Sequence, residues 1–571
     1  MPPDGNSSVP SALSNTGFDS GDEEPAFAGD LGLTAQTTFA NNFLKKTVEK
    51  TSLRKNNPRM EAALLKLRGL VESHQQKSIS HGPRFPLQTA VPPGGICKLP
   101  MPPISAVTTV LKTQMTLFNL YRSLICLSDF SKLYRQVYSV PEECSSSVFT
   151  IVNVLLHTLF TEQQGQSTDQ MLREEYSHYI QQCRVNLETS LANVPSFLPG
   201  KVEDVQALML GVFYAIETSR PLLSWQLNCN AAQLCQTAGY HRIETAREDP
   251  AAAKLKGSLF WTIFNVDASL SLRLRRAPAI HECDINIPCV IGLDAFGLEW
   301  SAISAFWIKI ARLQRRIYQD LYSPAAQSTS QPQLIDRARM LAEDARSLQV
   351  ESEECRTLLH SYLQAVNSSG IGDMILRGHE AQFHVTFALV FQYIPRAVPQ
   401  VERSRFSEEC LAAARQAMMV HRDCARLPDP GSYLRAVYIH WTFLLTPFSP
   451  FFVLFCYVLE TLSIPDLQLL QEFVTSLEAS RGFSESIHKL YLLTKTITEI
   501  AVLYVEARSE QAGHRNVVPN EDEFEIYLDR LRQSEDPSRT ITTDVQWAPS
   551  SDIQFTDVFD WFFGNDEILN F

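Results

Sequence analysis

Most of the motifs that identify enzymes and metal-binding proteins are missing from this 571-residue chain. It contains no H-E-x-x-H, no G-x-S-x-G and no G-x-x-x-x-G-K-[ST] loop, the short patterns whose spacing fits a catalytic or phosphate-binding geometry. The run His-Glu-Cys-Asp at 281–284 has ligand-type side chains, but adjacent residues rarely all face one ion, so we interpret it as an ordinary turn. We therefore expect no enzyme, no catalytic residue and no metal site, although a site assembled from distant residues stays open.

Closely paired cysteines are missing as well. The twelve cysteines form no C-x-x-C, and residues 1–96 contain none. Cys229 and Cys235, like Cys283 and Cys289, have five residues between them, which matches no usual zinc spacing. A chain this long does not need a disulfide framework, so we predict free thiols in a reducing compartment.

Basic residues are scarce at both ends of the chain. Residues 1–40 contain six acidic and no basic residues, and residues 516–571 contain thirteen acidic and three basic ones. With a net charge of −13, bulk electrostatics does not support direct DNA binding, which needs clustered Lys and Arg. The exception is 41–71, with eight basic and two acidic residues. Its basic run either aids nuclear import or forms an exposed charged face: Lys45, Lys46, Lys50, Arg54, Lys55 and Arg59.

Composition divides the chain into five parts. Residues 1–40 are an acidic, Ser- and Pro-rich tail that we predict to be disordered. Residues 41–103 are a basic helical leader followed by a Pro-rich linker, and 104–510 are one large helical domain. Residues 511–550 are a polar acidic linker, and 551–571 are a separate acidic and aromatic segment.

Apolar residues recur at helical spacing through 104–510, as in 148–160, 205–216 and 259–270. Alternation typical of strands is hard to find, so the predicted fold is all-α. The Ser-, Gln- and Pro-rich stretch 324–332 is predicted to be a loop. In the leader, an apolar stripe packs a helix on the main domain or forms a dimer seam: Met60, Leu64, Leu67 and Val71.

One apolar stretch is long enough for a membrane helix. No charged residue stands between Arg435 and Glu460. Pro447 and Pro450 break the stretch near its middle, because proline removes a helix hydrogen bond and clashes with the preceding turn. We predict two buried helices joined at a proline elbow, and no membrane association.

The last 21 residues alternate acidic with aromatic and aliphatic side chains. This composition is typical of activation segments that stay solvated and fold as a helix in a partner's groove. The alternative is that the aromatic residues dock onto this protein's own core. The segment's key residues are Asp557, Phe559, Asp560, Trp561, Phe562, Phe563, Ile568 and Leu569.

Several sequence blocks occur in a fixed order: 53–71, 231–242, 259–274, 276–288 and 447–456. Together they resemble the regulatory "middle homology" domain of fungal zinc-cluster (Zn2Cys6) transcription factors. The resemblance covers about 41–510. It assigns a structural role to these signature residues: Trp225, Gly239, His241, Arg242, Phe260, Trp261, Asp267, Ser269, Leu270, Arg276, Pro278, Asp284, Pro288, Pro447, Pro450 and Phe451.

The resemblance implies a nuclear regulator of transcription. Such domains are described as helical, as restraining activity, as mediating partner or dimer contacts and as responding to small inducers; members often control metabolic or secondary-metabolite genes. We therefore expect an activator that works with coactivators or other transcription proteins. The alternative is a ligand-binding or scaffold protein that uses the same helical domain outside transcription.

Two departures from the family pattern stand out. The six-cysteine cluster that the family places before its regulatory domain cannot be built from residues 1–96, which lack cysteine. We expect that a DNA-binding partner or a homodimer compensates, or that a zinc-binding cluster is encoded upstream, the one case in which zinc would be a cofactor. Arg275 stands where the family usually has glycine, so we expect a differently shaped turn there.

Overall fold

The computed structural model describes residues 85–112, 121, 124–125, 127–142, 144–195, 197–242, 249–289, 298–366, 371–394, 406–427 and 433–515. These residues form helices and connections without a strand, so the predicted all-α class is confirmed. The α-helices among them, in chain order, are α1 Ile104–Leu111, α2 Leu127–Ser139, α3 Ser146–Gln166, α4 Gln170–Ala192, α5 Val202–Glu217, α6 Pro221–Thr237, α7 Pro250–Leu274, α8 Leu298–Ile317, α9 Pro324–Gln327, α10 Gln331–Val366, α11 Ile371–Phe391, α12 Glu408–Ala425, α13 Tyr433–Ile439, α14 Ser449–Thr461, α15 Ile464–Glu478 and α16 Glu485–Arg515.

Local sequence explains where many helices begin. Ser145 and Ser407 are N-caps whose side chains accept hydrogen bonds from the first free backbone N–H groups of α3 and α12. Prolines stand in the first turn of α6, α7 and α9. The prediction of a loop at 324–332 was wrong, because proline is well tolerated at the first helical position and therefore starts α9 instead of preventing it.

Consecutive helices pack against one another and share one apolar core. α3 lies against α4 and α5, α6 against α5 and α7, and α8 against α7 and α10. α3 is buried on nearly all sides, from Ser147 to Phe160, which fits its nearly continuous apolar sequence. The C-terminal helices α11 to α16 continue the same core.

Contacts between residues far apart in sequence join the two halves of the helical array. The Phe213 ring on α5 meets the Trp441 ring edge-on, with centroids 4.8 Å apart. At the end of the same helix, the Ser219 hydroxyl lies 2.8 Å from Nδ1 of His440. Trp441 and His440 belong to a single π-helical turn, His440–Leu444. This turn therefore connects α5 to the C-terminal helices.

The long apolar stretch bends where its prolines predict. Among the described residues no single helix has the length and apolar character of a membrane span; only Leu434–Leu444 and Ser449–Thr461 together meet those criteria, and they are bent by 69°. Pro450 lies in the first turn of α14, after the elbow. Phe448 and Phe451 are buried beside Phe473 of α15. The predicted pair of buried helices with a proline elbow is confirmed.

Candidate functional site at the junction of α7 and α8

The signature residues between 225 and 288 meet around the C-terminal half of α7. This helix begins at the N-cap Asp249, whose carboxylate accepts from Ala252 N at 3.2 Å. Its second half is buried on almost every side, including Phe260 and Leu270. A loop of residues 275–288, called the signature loop below, then returns along the helix. The surrounding side chains determine the path of this loop.

Asp267 holds the start of the signature loop from inside the core. Its carboxylate accepts hydrogen bonds from the backbone N–H groups of Ala279 at 3.1 Å and Ile280 at 3.3 Å. It also accepts one from Nη1 of Arg315 on α8 at 2.7 Å. Asp267 is fully buried and Arg315 is 7% exposed. One carboxylate therefore fixes a helix, a loop and a second helix relative to one another.

Burial disfavours the charged form of Asp267, and its hydrogen-bond partners favour that form. Burial raises the pKa of this carboxyl group, because a charged group is poorly solvated in the core; Arg315 and the two backbone amides act in the opposite direction. The Arg315 guanidinium also lies 4.5 Å from the centre of the Phe264 ring. Removing Arg315 would leave a buried carboxylate without its counter-charge.

The far end of the signature loop is tied at two further points. Asp284 lies 3.0 Å from Nε2 of His241 and accepts a hydrogen bond from Arg242, and Arg242 is the main cause of the lowered pKa of this carboxyl group. The indole of Trp261 donates to the Pro288 carbonyl oxygen at 2.7 Å. The loop therefore lies along α7 and cannot swing away without breaking these bonds.

Gly239 lets the chain turn from α6 into the His241 region. Its φ is 73°, a left-handed conformation that favours glycine. The N–H of Tyr240 reaches back to the Cys235 carbonyl at 2.9 Å, so the turn satisfies free carbonyls at the end of α6. Nearby, the Arg276 guanidinium lies 4.3 Å from the centre of the Trp225 ring. These contacts attach α6 to the signature loop.

Arg275 takes the backbone conformation expected of a glycine. Its φ and ψ are 50° and 45°, and its side chain donates from Nε and Nη2 to the Tyr322 carbonyl at 3.3 and 3.2 Å. Left-handed geometry costs roughly 1–2 kcal/mol for a residue with a side chain. The arginine itself therefore adopts a geometry in which glycine would be free of this strain, and the expectation of a differently shaped turn stays a prediction.

The other signature residues have varied surroundings. The Ser269 hydroxyl donates to Oε1 of Gln314 on α8 at 3.2 Å. Pro278 is half-buried in the signature loop. Pro447 lies at the elbow before α14, and Pro450 and Phe451 lie in the first turn of α14. The elbow is joined to the end of α7, because Arg273 donates to the Thr446 carbonyl oxygen at 3.3 Å. Two sequence blocks that lie far apart in the chain thus meet in space.

Arg315 and Gln314 are central contacts that the sequence did not reveal. Both lie in α8, in a run of basic and amide residues that resembles an ordinary exposed helix face. They are nevertheless 7% and 4% exposed. The only local signal is that Arg315 follows apolar residues at helical spacing, which does not distinguish a buried arginine from one that extends to the surface.

No group of three or more His, Cys, Asp or Glu side chains that could hold a metal occurs in the part of the chain that the structure describes. The acidic side chains at 281–284 are engaged in ion pairs instead: Glu282 faces Arg312 at 3.4 Å and Asp284 faces Arg242. The run is therefore a structural turn. The basic run at 45–59 and the acidic and aromatic segment 551–571 lie outside the described residues.

Comparison with known proteins agrees with the sequence blocks. Residues 117–348 match the family described as "Fungal specific transcription factor domain". An uncharacterised transcriptional regulatory protein of Schizosaccharomyces pombe is 24% identical over 269 residues, covering 45% of this chain and 41% of the relative. A transcriptional regulator of Claviceps purpurea is 30% identical over 104 residues, covering 18% of this chain and 16% of the relative.

The family match includes α7, the signature loop and α8. The chain spans less than half the length of either relative. No solved structure matches the chain. The relatives' names belong to a class of regulators and not to a class of enzymes. Residues 117–348 of this chain therefore match the fungal specific transcription factor domain, and the resemblance inferred from the sequence blocks is confirmed.

Proposed function

We propose that this chain regulates transcription in the fungal nucleus. The observation that carries the proposal is the match of residues 117–348 to the fungal specific transcription factor domain. Its support from geometry is that Asp267 joins α7, the signature loop and α8, which makes this region a firmly connected unit. Two relatives named as transcriptional regulators point the same way.

In this proposal the helical domain controls activity, and residues 551–571 are the segment that activates transcription. In one state the domain covers the acidic and aromatic segment; in the other the segment is free to bind a coactivator as an amphipathic helix. A small inducer shifts this balance only by the difference in its affinity for the two states. The expected targets are metabolic or secondary-metabolite genes, and the expected sign is activation.

DNA recognition is assigned to a zinc-cluster module encoded upstream or to a DNA-binding partner, and a homodimer of this chain is the other proposed assembly. The net charge of −13 over the full sequence does not argue for direct DNA contact. Zinc enters the proposal only as part of such a cluster. Lys45 and Lys46, with the basic residues that follow, are the proposed import signal.

A reporter experiment tests the activation segment. Residues 511–571 are fused to an unrelated DNA-binding domain, and reporter expression is compared with that of a Trp561→Ala/Phe562→Ala/Phe563→Ala variant. The matched control is Gln554→Ala/Thr556→Ala, which keeps the acidic and aromatic residues. We expect activity from the parent and the control and strong loss from the triple variant.

The full chain, tagged with a fluorescent protein, tests the location. Nuclear accumulation that falls when Lys45, Lys46 and Lys50 are replaced by Gln supports the proposal. A silent reporter together with exclusion of the full chain from the nucleus would instead favour a scaffold or ligand-binding protein outside transcription.

A further inference from the structure

The segment that precedes α1 is attached to the helical domain by specific bonds. The backbone N–H of Leu87 donates to Oε2 of Glu188 at 2.9 Å, and that of Thr89 donates to the Thr189 hydroxyl at 3.0 Å. Glu188 is buried and also accepts from Tyr214 OH at 2.8 Å. The segment then makes a short 3-10 turn, Ile96–Lys98, against α3 and α4. Its position therefore depends on the helices beneath it.

Two cysteines meet where this turn reaches the start of α3. The Cys97 sulfur lies 3.2 Å from the Cys144 carbonyl oxygen and 3.8 Å from that of Ser145. The Cys144 sulfur lies 3.4 Å from the same Ser145 oxygen, so both sulfurs approach one backbone group. Beside them, Lys98 pairs with Glu142 at 3.5 Å. The two cysteines are 47 positions apart in the chain.

Both cysteines are half-buried, which leaves them within reach of a small oxidant, whereas Cys183, Cys235 and Cys410 are buried. The neighbouring Cys144 side chain is the largest cause of a lowered pKa of Cys97; the charge of Lys98 acts in the same direction, and partial burial opposes it. Cys97 in turn is the largest cause of a raised pKa of Cys144. The thiolate is the reactive form of cysteine, so the two thiols have different chemical roles.

We propose that Cys97 and Cys144 are a redox-sensitive pair that a hydroperoxide converts reversibly into a disulfide. In the first step the Cys97 thiolate attacks the peroxide: an S–O bond forms, the O–O bond breaks, and the leaving alkoxide or hydroxide takes up a proton. In the second step the Cys144 sulfur attacks the Cys97 sulfenic acid: the S–S bond forms, the S–O bond breaks, and the hydroxide leaves as water with the Cys144 proton. Sulfur is oxidised and the peroxide oxygen is reduced.

A disulfide at this point joins the turn Ile96–Lys98 covalently to the start of α3. Residues 85–95 are then fixed between the Glu188 and Thr189 contacts and the new bond. The segment that leads from residues 1–84 into the helical domain is thereby fastened under oxidising conditions and held only by non-covalent contacts under reducing ones. A cellular thiol reductant reverses the bond by thiol–disulfide exchange.

Peptide mass spectrometry of the full chain tests this proposal. Reduced protein is treated with a small excess of hydrogen peroxide, free thiols are blocked with a maleimide, and the digest is searched for cross-linked peptides. We expect a Cys97–Cys144 peptide that disappears after reduction with dithiothreitol. Cys283→Ser is the matched control, because Cys283 is exposed and far from the pair in sequence; it should leave the cross-link unchanged.

Two single variants test the separate roles of the sulfurs. In Cys144→Ser, the sulfenic acid of Cys97 has no partner thiol and should accumulate, detected with a dimedone probe. In Cys97→Ser, Cys144 should remain reduced under the same peroxide treatment. Its yield of dimedone adduct should be about tenfold lower than that of Cys97 in Cys144→Ser. Cross-links that join Cys97 to a different cysteine, or equal peroxide reactivity of Cys97 and Cys283, would overturn the proposal.

Discussion

Arg315 donates a hydrogen bond to Asp267 at 2.7 Å in a site where both side chains are buried, although 48 positions separate them in the chain. Because Asp267 also holds two backbone N–H groups of the signature loop, this contact links the packing of α8 to the path of the loop. The family-matched region is therefore held together by a polar contact at its centre as well as by apolar packing.

Arg315→Ala should lower the free energy of unfolding by about 3–5 kcal/mol, because it leaves the Asp267 carboxylate buried without its counter-charge. Equilibrium unfolding in urea measures the change. Arg316→Ala is the matched control: its pair with Asp344 is about half-exposed, so we expect a change within about 0.5 kcal/mol. Similar losses for the two variants would show that the buried pair contributes little.

His440 should make the protein less stable in mild acid. Burial lowers its pKa to about 4 in the folded chain, against 6.5 as the ordinary value, so below pH 6.5 the unfolded chain binds a proton that the folded one does not. Stability is therefore lost progressively as the pH falls from 6.5 towards 4.

The measurement for His440 compares urea unfolding at pH 7 and pH 5. His440→Gln removes the titration while leaving an amide able to reach Ser219, so the variant should lose about 2 kcal/mol less than the parent over this interval. His178→Gln changes an exposed histidine and should follow the parent. Identical pH dependence in the parent and in His440→Gln would contradict the prediction.

Arg275 combines a strained backbone with a favourable side-chain contact. Arg275→Ala loses the bonds to the Tyr322 carbonyl and keeps the left-handed strain, whereas Arg275→Gly loses the same bonds and relieves the strain. We expect the glycine variant to be more stable than the alanine variant by about 1 kcal/mol, measured by thermal unfolding. Leu462→Gly and Leu462→Ala offer a comparison at a second left-handed position. Equal stability of Arg275→Ala and Arg275→Gly would argue against strain at Arg275.

Two glycines in helices should respond in opposite directions to alanine. A Cβ on Gly211 of α5 would lie 2.9 Å from Cδ2 of Leu191 and 3.3 Å from Cδ1 of Leu227, so Gly211→Ala should destabilise by about 1–3 kcal/mol. A Cβ on Gly257 of α7 meets nothing within 4 Å, and Gly257→Ala should stabilise by up to about 1 kcal/mol. Calorimetric melting temperatures of both variants check the pair; a stabilising Gly211→Ala would indicate looser packing than observed.

Features that depend on neighbouring residues could be predicted from the sequence. The helical spacing of apolar residues gave the all-α class, and the prolines at 447 and 450 predicted the elbow, because both act through the local backbone. The order of the blocks identified the family region. The stretch 324–332 was read wrongly because the same prolines that end a helix also suit its first turn.

By itself, then, the sequence determined the all-α class, the proline elbow and a region that matches a known family. Only the tertiary structure decided which polar groups became partners: Arg315 with Asp267, the Arg275 side chain with Tyr322, and Cys97 with Cys144. The physical reason is range. Helix formation is governed by residues three or four positions apart, whereas these pairs lie about 50 positions apart and meet only after the apolar faces of several helices have packed.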